Sequence, residues 1–217
     1  MEDNSAERVE KICELLSQEY RNPASELTYC SDYTFLVAVV LSAQATDVQV
    51  NKVTAQLFKD YKTAADIIDL GEEGLREKIS SIGLYKNKAK NIFAFSRILD
   101  EKYDGAVPKS REELESLPGV GRKSANVVLN TLCGCPVIAV DTHVLRLSKR
   151  LGFSESGNPL KIENDLERII PEKYKNNISN FIVLHGRYVC KAKKPMCEKC
   201  TIRELCHSGD KITHSAT

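Results

Sequence analysis

The segment "GVGRK" at residues 119–123 places two adjacent bases directly after a glycine turn. Glycine allows a backbone to approach a ligand closely, and the apolar-periodic run that follows predicts the start of a helix. Backbone N–H groups at a helix start bind anions. We expect the N–H groups of this turn to point outward and to hold one phosphate together with a basic side chain. The candidate phosphate-binding residues are Gly119, Val120, Gly121 and Arg122.

Two other kinds of phosphate loop do not fit this segment. A Walker A loop needs lysine directly after its last glycine, whereas Arg122 separates Gly121 from Lys123. A dinucleotide-binding turn needs a preceding strand and a glycine or alanine at position 124, where this chain has Ser124. What remains is the helix-hairpin-helix spacing, which predicts binding to a DNA backbone without base readout.

Lys123 is the candidate nucleophile of this segment. It lies in the first helical turn beside Arg122, where a neighbouring cation and the positive end of the helix both disfavour a protonated amine. A neutral amine is a nucleophile and an ammonium is not. A phosphate bound nearby has the opposite effect, and the alternative interpretation of Lys123 is a phosphate contact or a solvated surface lysine.

Asp141 follows four apolar residues and precedes another apolar stripe, in "VIAVDTHVLRLSKRLG". Its simplest role is the N-cap of a helix. A capping carboxylate also keeps its negative charge, which could stabilise positive charge on a sugar or orient a nucleophile. Capping and catalysis therefore do not exclude each other at this position.

Four cysteines near the end of the chain have the spacing C-x6-C-x2-C-x5-C. In a reducing compartment such a cluster predicts a metal site rather than disulfides, the candidate ligands being Cys190, Cys197, Cys200 and Cys206. Structural zinc sites usually pair two short Cys knuckles, and only one is present, so the spacing favours a [4Fe–4S] cluster. The adjacent basic side chains predict a phosphate-binding patch, formed by Arg187, Lys191, Lys193 and Lys194.

The remaining sequence predicts the helices that must position these groups. Helical periodicity dominates the 217 residues, and no sustained alternation with hairpin turns appears, so the chain is predicted to be all-α. "FLVAVVLSAQ" would also suit a buried strand; Ser31 or Asp32 as a cap favours a helix. Another helix is expected to start after Asn177.

Composition limits the class of protein. A net charge of +1 provides no global attraction to polyanions, so nucleic acid must be bound through local patches. The longest apolar run, "FLVAVVL", is too short to span a bilayer, and the acidic N-terminus lacks the apolar core of a signal peptide. We expect a cytoplasmic protein, found with the chromosomal DNA, and no membrane partner.

Five segments in this order resemble the endonuclease III family of DNA glycosylases: "LSAQATD", "IGLYKNKAKNI", "LPGVGRKSANVVLN", "AVDTHVLRLSKRLG" and the cysteine cluster. The resemblance covers about residues 25–206. It implies a six-helix domain at 25–135 that carries the hairpin, and an iron–sulfur domain made of 1–24 and 136–217. A DNA cleft between the two domains and a monomeric enzyme are also expected.

The same resemblance implies the site residues and the reaction. Lys123 would be the nucleophile, assisted by Asp141, and Gln44 with Leu84, supported by Ile82, would fill the gap left by a flipped base. Relatives that only release a base lack the lysine, so a bifunctional glycosylase and abasic-site lyase acting on oxidised pyrimidines in duplex DNA is expected. The alternatives are a non-catalytic DNA-binding protein, an iron–sulfur electron carrier and a monofunctional glycosylase for a mismatched base.

Overall fold

The structure, a computed structural model, describes residues 6–21, 23 and 25–209, which form ten α-helices and no β-strand. In chain order these helices are α1 (Ala6–Glu19), α2 (Asp32–Ser42), α3 (Asp47–Asp60), α4 (Ala64–Lys78), α5 (Tyr85–Tyr103), α6 (Arg111–Ser116), α7 (Arg122–Cys133), α8 (Thr142–Arg150), α9 (Pro159–Ile169) and α10 (Glu172–Tyr188). Two short 3-10 turns, Cys197–Lys199 and Arg203–Leu205, follow α10. The all-α prediction is confirmed.

The described chain divides into two compact units. The first unit is Ser25–Gly134, which contains α2 to α7. The second unit consists of the described parts of Met1–Ala24 and Cys135–Thr217, with α1 and α8 to α10. Among the described residues, no helix combines the length and the apolar character needed to cross a bilayer.

Helix α2 is the central helix of the first unit. Every residue from Tyr33 to Leu41 is buried, and α3, α5 and α7 pack against it. The helix begins where Ser31 forms a capping box: Ser31 Oγ accepts from the Thr34 N–H at 3.2 Å, and Thr34 Oγ1 accepts from the Ser31 N–H at 2.8 Å. The helix predicted for "FLVAVVLSAQ" is therefore confirmed.

Helices α6 and α7 pack against each other and are joined by the glycine turn. Ser110 Oγ accepts from the Glu113 N–H at 3.3 Å and caps α6, as predicted. α7 buries Ala125 and Val128 on one face. It ends at Gly134, whose φ of 63° is the left-handed conformation that glycine adopts at helix ends.

The second unit has its own apolar core. α1 and α8 pack against α10, and α9 packs against α8. The buried residues include Val9, Ile12, Leu16, Val144, Leu147, Ile162, Leu166, Ile178, Phe181 and Ile182. The expected start of α10 after Asn177 is wrong, because this helix begins at Glu172, directly after Pro171. Asn176 and Asn177 are exposed on its outer face, so their weak helix propensity is outweighed by the apolar face beyond them.

Candidate functional site

The glycine turn between α6 and α7 requires a residue without a Cβ at position 119. Gly119 has φ +80°, and a Cβ there would lie 2.7 Å from Nδ2 of Asn91 on α5. Gly119 and Gly121 are exposed, as a backbone contact with a ligand needs. Val120 differs from expectation: its side chain is buried and its N–H donates to Leu117 O at 3.1 Å. Its predicted role as an N–H donor to phosphate is therefore wrong, because that N–H closes the turn.

Helix α7 presents its positive end together with two bases. Gly121 is the N-cap and has no side chain that could cap the first turn. Arg122 is the first helical residue, with Nη1 4.0 Å from Glu115 Oε1. Lys123 follows and is exposed. The first turn of α7 is thus a site where an anion would be bound and where an amine reaches solvent.

Gln44 and Leu84 lie on two loops of the same unit, and both have a left-handed backbone. Gln44 has φ 54° and is exposed; Leu84 has φ 59° and exposes 57% of its surface. Ile82 differs, because only 1% of its surface is exposed. Ile82 is therefore a core residue beneath the loop, which leaves Leu84 as the apolar side chain that could enter a base stack.

Asp141 caps α8 in the second unit. Its Oδ1 accepts from the N–H groups of His143 and Val144, both at 2.8 Å, so the predicted N-cap is confirmed. Burial lowers the pKa of His143, and the negative charge of Asp141 partly opposes this effect. The two hydrogen bonds from His143 and Val144 give the Asp141 carboxylate a fixed orientation.

The four cysteines of the predicted metal site line one cavity in the second unit. Cys190, Cys197, Cys200 and Cys206 share it with apolar and basic neighbours, among them Val189, Met196, Arg150 and Arg203. No set of three or more His, Cys, Asp or Glu groups in the described residues converges closely enough for a single metal ion. A cubane cluster takes one thiolate per iron and so needs its sulfurs spread around a larger body, which four cysteines around one cavity provide. The donor set, thiols alone, also suits iron–sulfur chemistry.

Two side chains that contact these sulfurs were not predicted from the sequence. Nη1 of Arg150 donates to Cys190 Sγ at 3.2 Å, and His185 Nε2 lies 3.3 Å from Cys200 Sγ. His185 is buried, which lowers its pKa, and its Nδ1 lies 3.0 Å from the Tyr20 hydroxyl. The sequence does place Arg146 and Arg150 four residues apart, so a pair of basic side chains on one face of α8 could have been predicted from it.

The same two arginines hold the basic loop that follows α10. Nη2 of Arg146 donates to Cys190 O at 3.0 Å, and Arg150 donates to Lys191 O at 2.8 Å and to Ala192 O at 3.2 Å. The three lysines of this loop, Lys191, Lys193 and Lys194, are exposed, and Arg187 is half-buried. The backbone of the loop is thus held by the two arginine side chains of α8, and the lysine side chains of the loop face solvent.

Comparison with known proteins defines the class. Residues 37–172 match the model of the HhH-GPD superfamily of base excision DNA repair proteins. The chain is 51% identical over 201 residues to endonuclease III of Rickettsia felis, covering 93% of this chain and 94% of that protein. It is 46% identical over 209 residues to endonuclease III of Escherichia coli, covering 96% and 99%.

Solved structures agree with this class. A trapped covalent intermediate of endonuclease III with DNA superimposes with a TM-score of 0.90 at 44% identity, covering 95% of this chain and 98% of that one. A non-covalent endonuclease III–DNA complex gives the same TM-score and identity, with coverages of 95% and 97%. The chain belongs to the endonuclease III family, whose members are DNA glycosylases of base excision repair with an abasic-site lyase activity.

Proposed function

We propose that this chain removes oxidised pyrimidines from duplex DNA and then cleaves the abasic site by β-elimination through a Schiff base on Lys123. The observation that supports this most directly is the position of Lys123: it is exposed in the first turn of α7, immediately after the exposed glycines of the hairpin. An amine at a phosphate-binding turn is presented to the deoxyribose whose phosphate the turn holds.

The reaction divides into two steps at one sugar. The neutral amine of Lys123 attacks C1′ of the flipped nucleotide, and the damaged base leaves with the glycosidic electron pair and takes up a proton. Ring opening gives an iminium between Nζ and C1′. This iminium acidifies the C2′ proton, whose removal breaks the C3′–O bond and expels the 3′ phosphate. An amine is required because only nitrogen forms an iminium at this carbon.

Asp141 is proposed to stabilise the positive charge that develops on the sugar and to help deprotonate Lys123. Its carboxylate is held by the His143 and Val144 N–H groups through one oxygen, Oδ1. The other oxygen is therefore presented in a fixed direction. A carboxylate oriented before the substrate binds loses little free energy to reorganisation in the transition state.

Base flipping leaves a gap in the duplex that Gln44 and Leu84 are proposed to fill. The amide of Gln44 can hydrogen-bond the orphaned base, and Leu84 can occupy the apolar space. Both side chains are exposed on loops with defined backbone conformations. Phosphates are proposed to be bound by Gly119, Gly121 and Arg122 of the hairpin and by the basic side chains of the second unit, Arg187, Lys191, Lys193 and Lys194.

The two units are proposed to be the domains at 25–135 and at 1–24 with 136–217. Cys190, Cys197, Cys200 and Cys206 would hold a [4Fe–4S] cluster, which would cross-link the basic loop to the rest of the second domain. With a thiolate at Cys200, His185 Nε2–H would donate to that sulfur, and the Tyr20 hydroxyl would donate to Nδ1.

The enzyme is proposed to act as a monomer on chromosomal DNA in the cytoplasm.

The substrate class is tested with matched duplexes that carry a ring-saturated pyrimidine, an oxidised purine, a mismatched normal base or no damage. We expect base release and strand cleavage with the pyrimidine lesion, and a 3′ unsaturated aldehyde as the cleavage product. Release of a base without cleavage would instead indicate a monofunctional glycosylase. Binding without either product would favour a non-catalytic DNA-binding protein.

The cluster is tested by purification under anaerobic conditions followed by visible absorption and by iron and sulfide analysis. We expect a brown protein with a broad thiolate-to-iron absorption and about four irons per chain. Cys200→Ser should lose both the colour and the iron, whereas Cys30→Ser, which changes an exposed thiol in the first unit, should keep them. Stoichiometric zinc without sulfide would contradict the assignment.

A further inference from the structure

The loops that carry Gln44 and Leu84 hold two backbone conformations that are unfavourable for residues other than glycine. Both residues have a left-handed φ, and both side chains are exposed, so their own packing does not stabilise these conformations. Strained backbone of this kind persists only where neighbouring structure holds it in place. The residue that holds it is therefore a determinant of how the two side chains are presented.

Lys88 holds the first of these loops. This lysine is buried, and its Nζ donates to Leu41 O at 2.8 Å and to Ala43 O at 2.7 Å. The two carbonyls lie at the C-terminal end of α2, where a cation stabilises the negative end of the helix. Ala43 directly precedes Gln44, so the ammonium fixes the peptide from which the Gln44 loop departs.

Lys88 also belongs to the second loop. It lies one turn into α5, and its backbone N–H donates to Leu84 O at 3.1 Å, the first hydrogen bond of that helix. A side chain from α3 also contacts the segment that precedes Leu84, because Gln49 Nε2 donates to Ser81 O. A single buried residue thus contacts the backbone beside both Gln44 and Leu84.

We propose that Lys88 is a positioning residue that locks the Gln44 and Leu84 loops together, so that both side chains enter the DNA gap as one preorganised unit. This inference rests on the proposed function, which assigns the two side chains to the gap. Without the cross-link, each loop would have to be ordered separately when damaged DNA binds. Removing the Lys88 contacts would therefore weaken binding to DNA with a flipped nucleotide and would not weaken general binding to duplex DNA.

The test is Lys88→Met, which keeps most of the length of the side chain and removes its donors. The measurement is the ratio of dissociation constants for undamaged duplex and for a duplex with a non-cleavable abasic-site analogue. We expect this preference to fall about tenfold, the equivalent of one hydrogen bond to a charged group, with affinity for undamaged duplex unchanged. An unchanged preference would overturn the proposal.

Ser96→Ala is the matched control for lost stability. Ser96 Oγ forms a buried hydrogen bond with the Tyr33 hydroxyl at 2.6 Å in the same unit. We expect this variant to lower the melting temperature and to keep the preference for the abasic analogue. An equal loss of preference in Ser96→Ala would show that general destabilisation accounts for the Lys88 effect, and would overturn the proposal.

A combined variant separates this inference from the proposed function. Gln44→Ala with Leu84→Ala should lower the preference, and adding Lys88→Met to that pair should cause no further loss, because Lys88 acts through them. A pair variant with normal preference would refute the gap-filling assignment itself. The other informative result is that the pair variant has a lowered preference and that Lys88→Met lowers it again, by the same factor as it does when Gln44 and Leu84 are present. That result would overturn only the Lys88 proposal. Should Lys88→Met fail to fold, Lys88→Leu, which also lacks donors, takes its place with the same expected and overturning results.

Discussion

Lys123→Gln is expected to abolish the covalent adduct that borohydride traps between this protein and abasic-site DNA. Borohydride reduces the iminium between Nζ and C1′ to a stable amine, so the adduct reports the nucleophile directly. An amide nitrogen does not form this bond. The yield should fall to background, and lesion-dependent strand cleavage should fall by orders of magnitude, measured by single-turnover gel assays.

The control for this prediction is Lys102→Gln, which changes an exposed lysine near the end of α5. It removes the same charge and should leave the adduct yield unchanged. DNA affinity of Lys123→Gln is measured in parallel and should fall only slightly, because Arg122 and the hairpin backbone remain. An undiminished adduct in Lys123→Gln would show that another amine is the nucleophile, and the proposed mechanism would then be wrong.

Local signals in the sequence were sufficient for the fold class and for most of the helices. Ser31 and Ser110 cap α2 and α6 as predicted, and Gly134 ends α7. Periodicity was uninformative for α2, because a helix buried on all sides has no polar face to reveal its period. The predicted start of α10 relied on Asn176 and Asn177 as the residues that precede the helix, whereas packing of the apolar face extends the helix back to Glu172.

The candidate site could be proposed from the sequence wherever residue type alone indicates a chemistry. A lysine beside a glycine turn, a capping aspartate and four spaced cysteines are visible in the sequence, and their roles in the reaction and in holding a cluster remain proposals. Val120 and Ile82 were less predictable, because an apolar residue in a turn has the same local pattern whether it is exposed or buried. His185 and Lys88 depend on tertiary contacts with residues distant in the chain, and no local pattern indicates those.

Asp141→Asn is expected to separate the catalytic role of this residue from its structural one. Asparagine caps helices about as well as aspartate, so the hydrogen bonds from His143 and Val144 should survive and the melting temperature should change little. The negative charge is lost, so stabilisation of the sugar cation and help with deprotonation of Lys123 are lost with it. We expect single-turnover base release to slow by about 10²- to 10⁴-fold while DNA affinity is retained.

Asp141→Ala provides the comparison that makes this interpretation specific. Alanine removes the cap as well as the charge, and should lower the free energy of unfolding by about 0.5–2 kcal/mol in addition to slowing base release. The two variants should therefore share the catalytic defect and differ in stability. If Asp141→Asn instead keeps normal base release, the residue is a helix cap without a catalytic role. The positive charge that develops on the sugar would then have to be stabilised by another group.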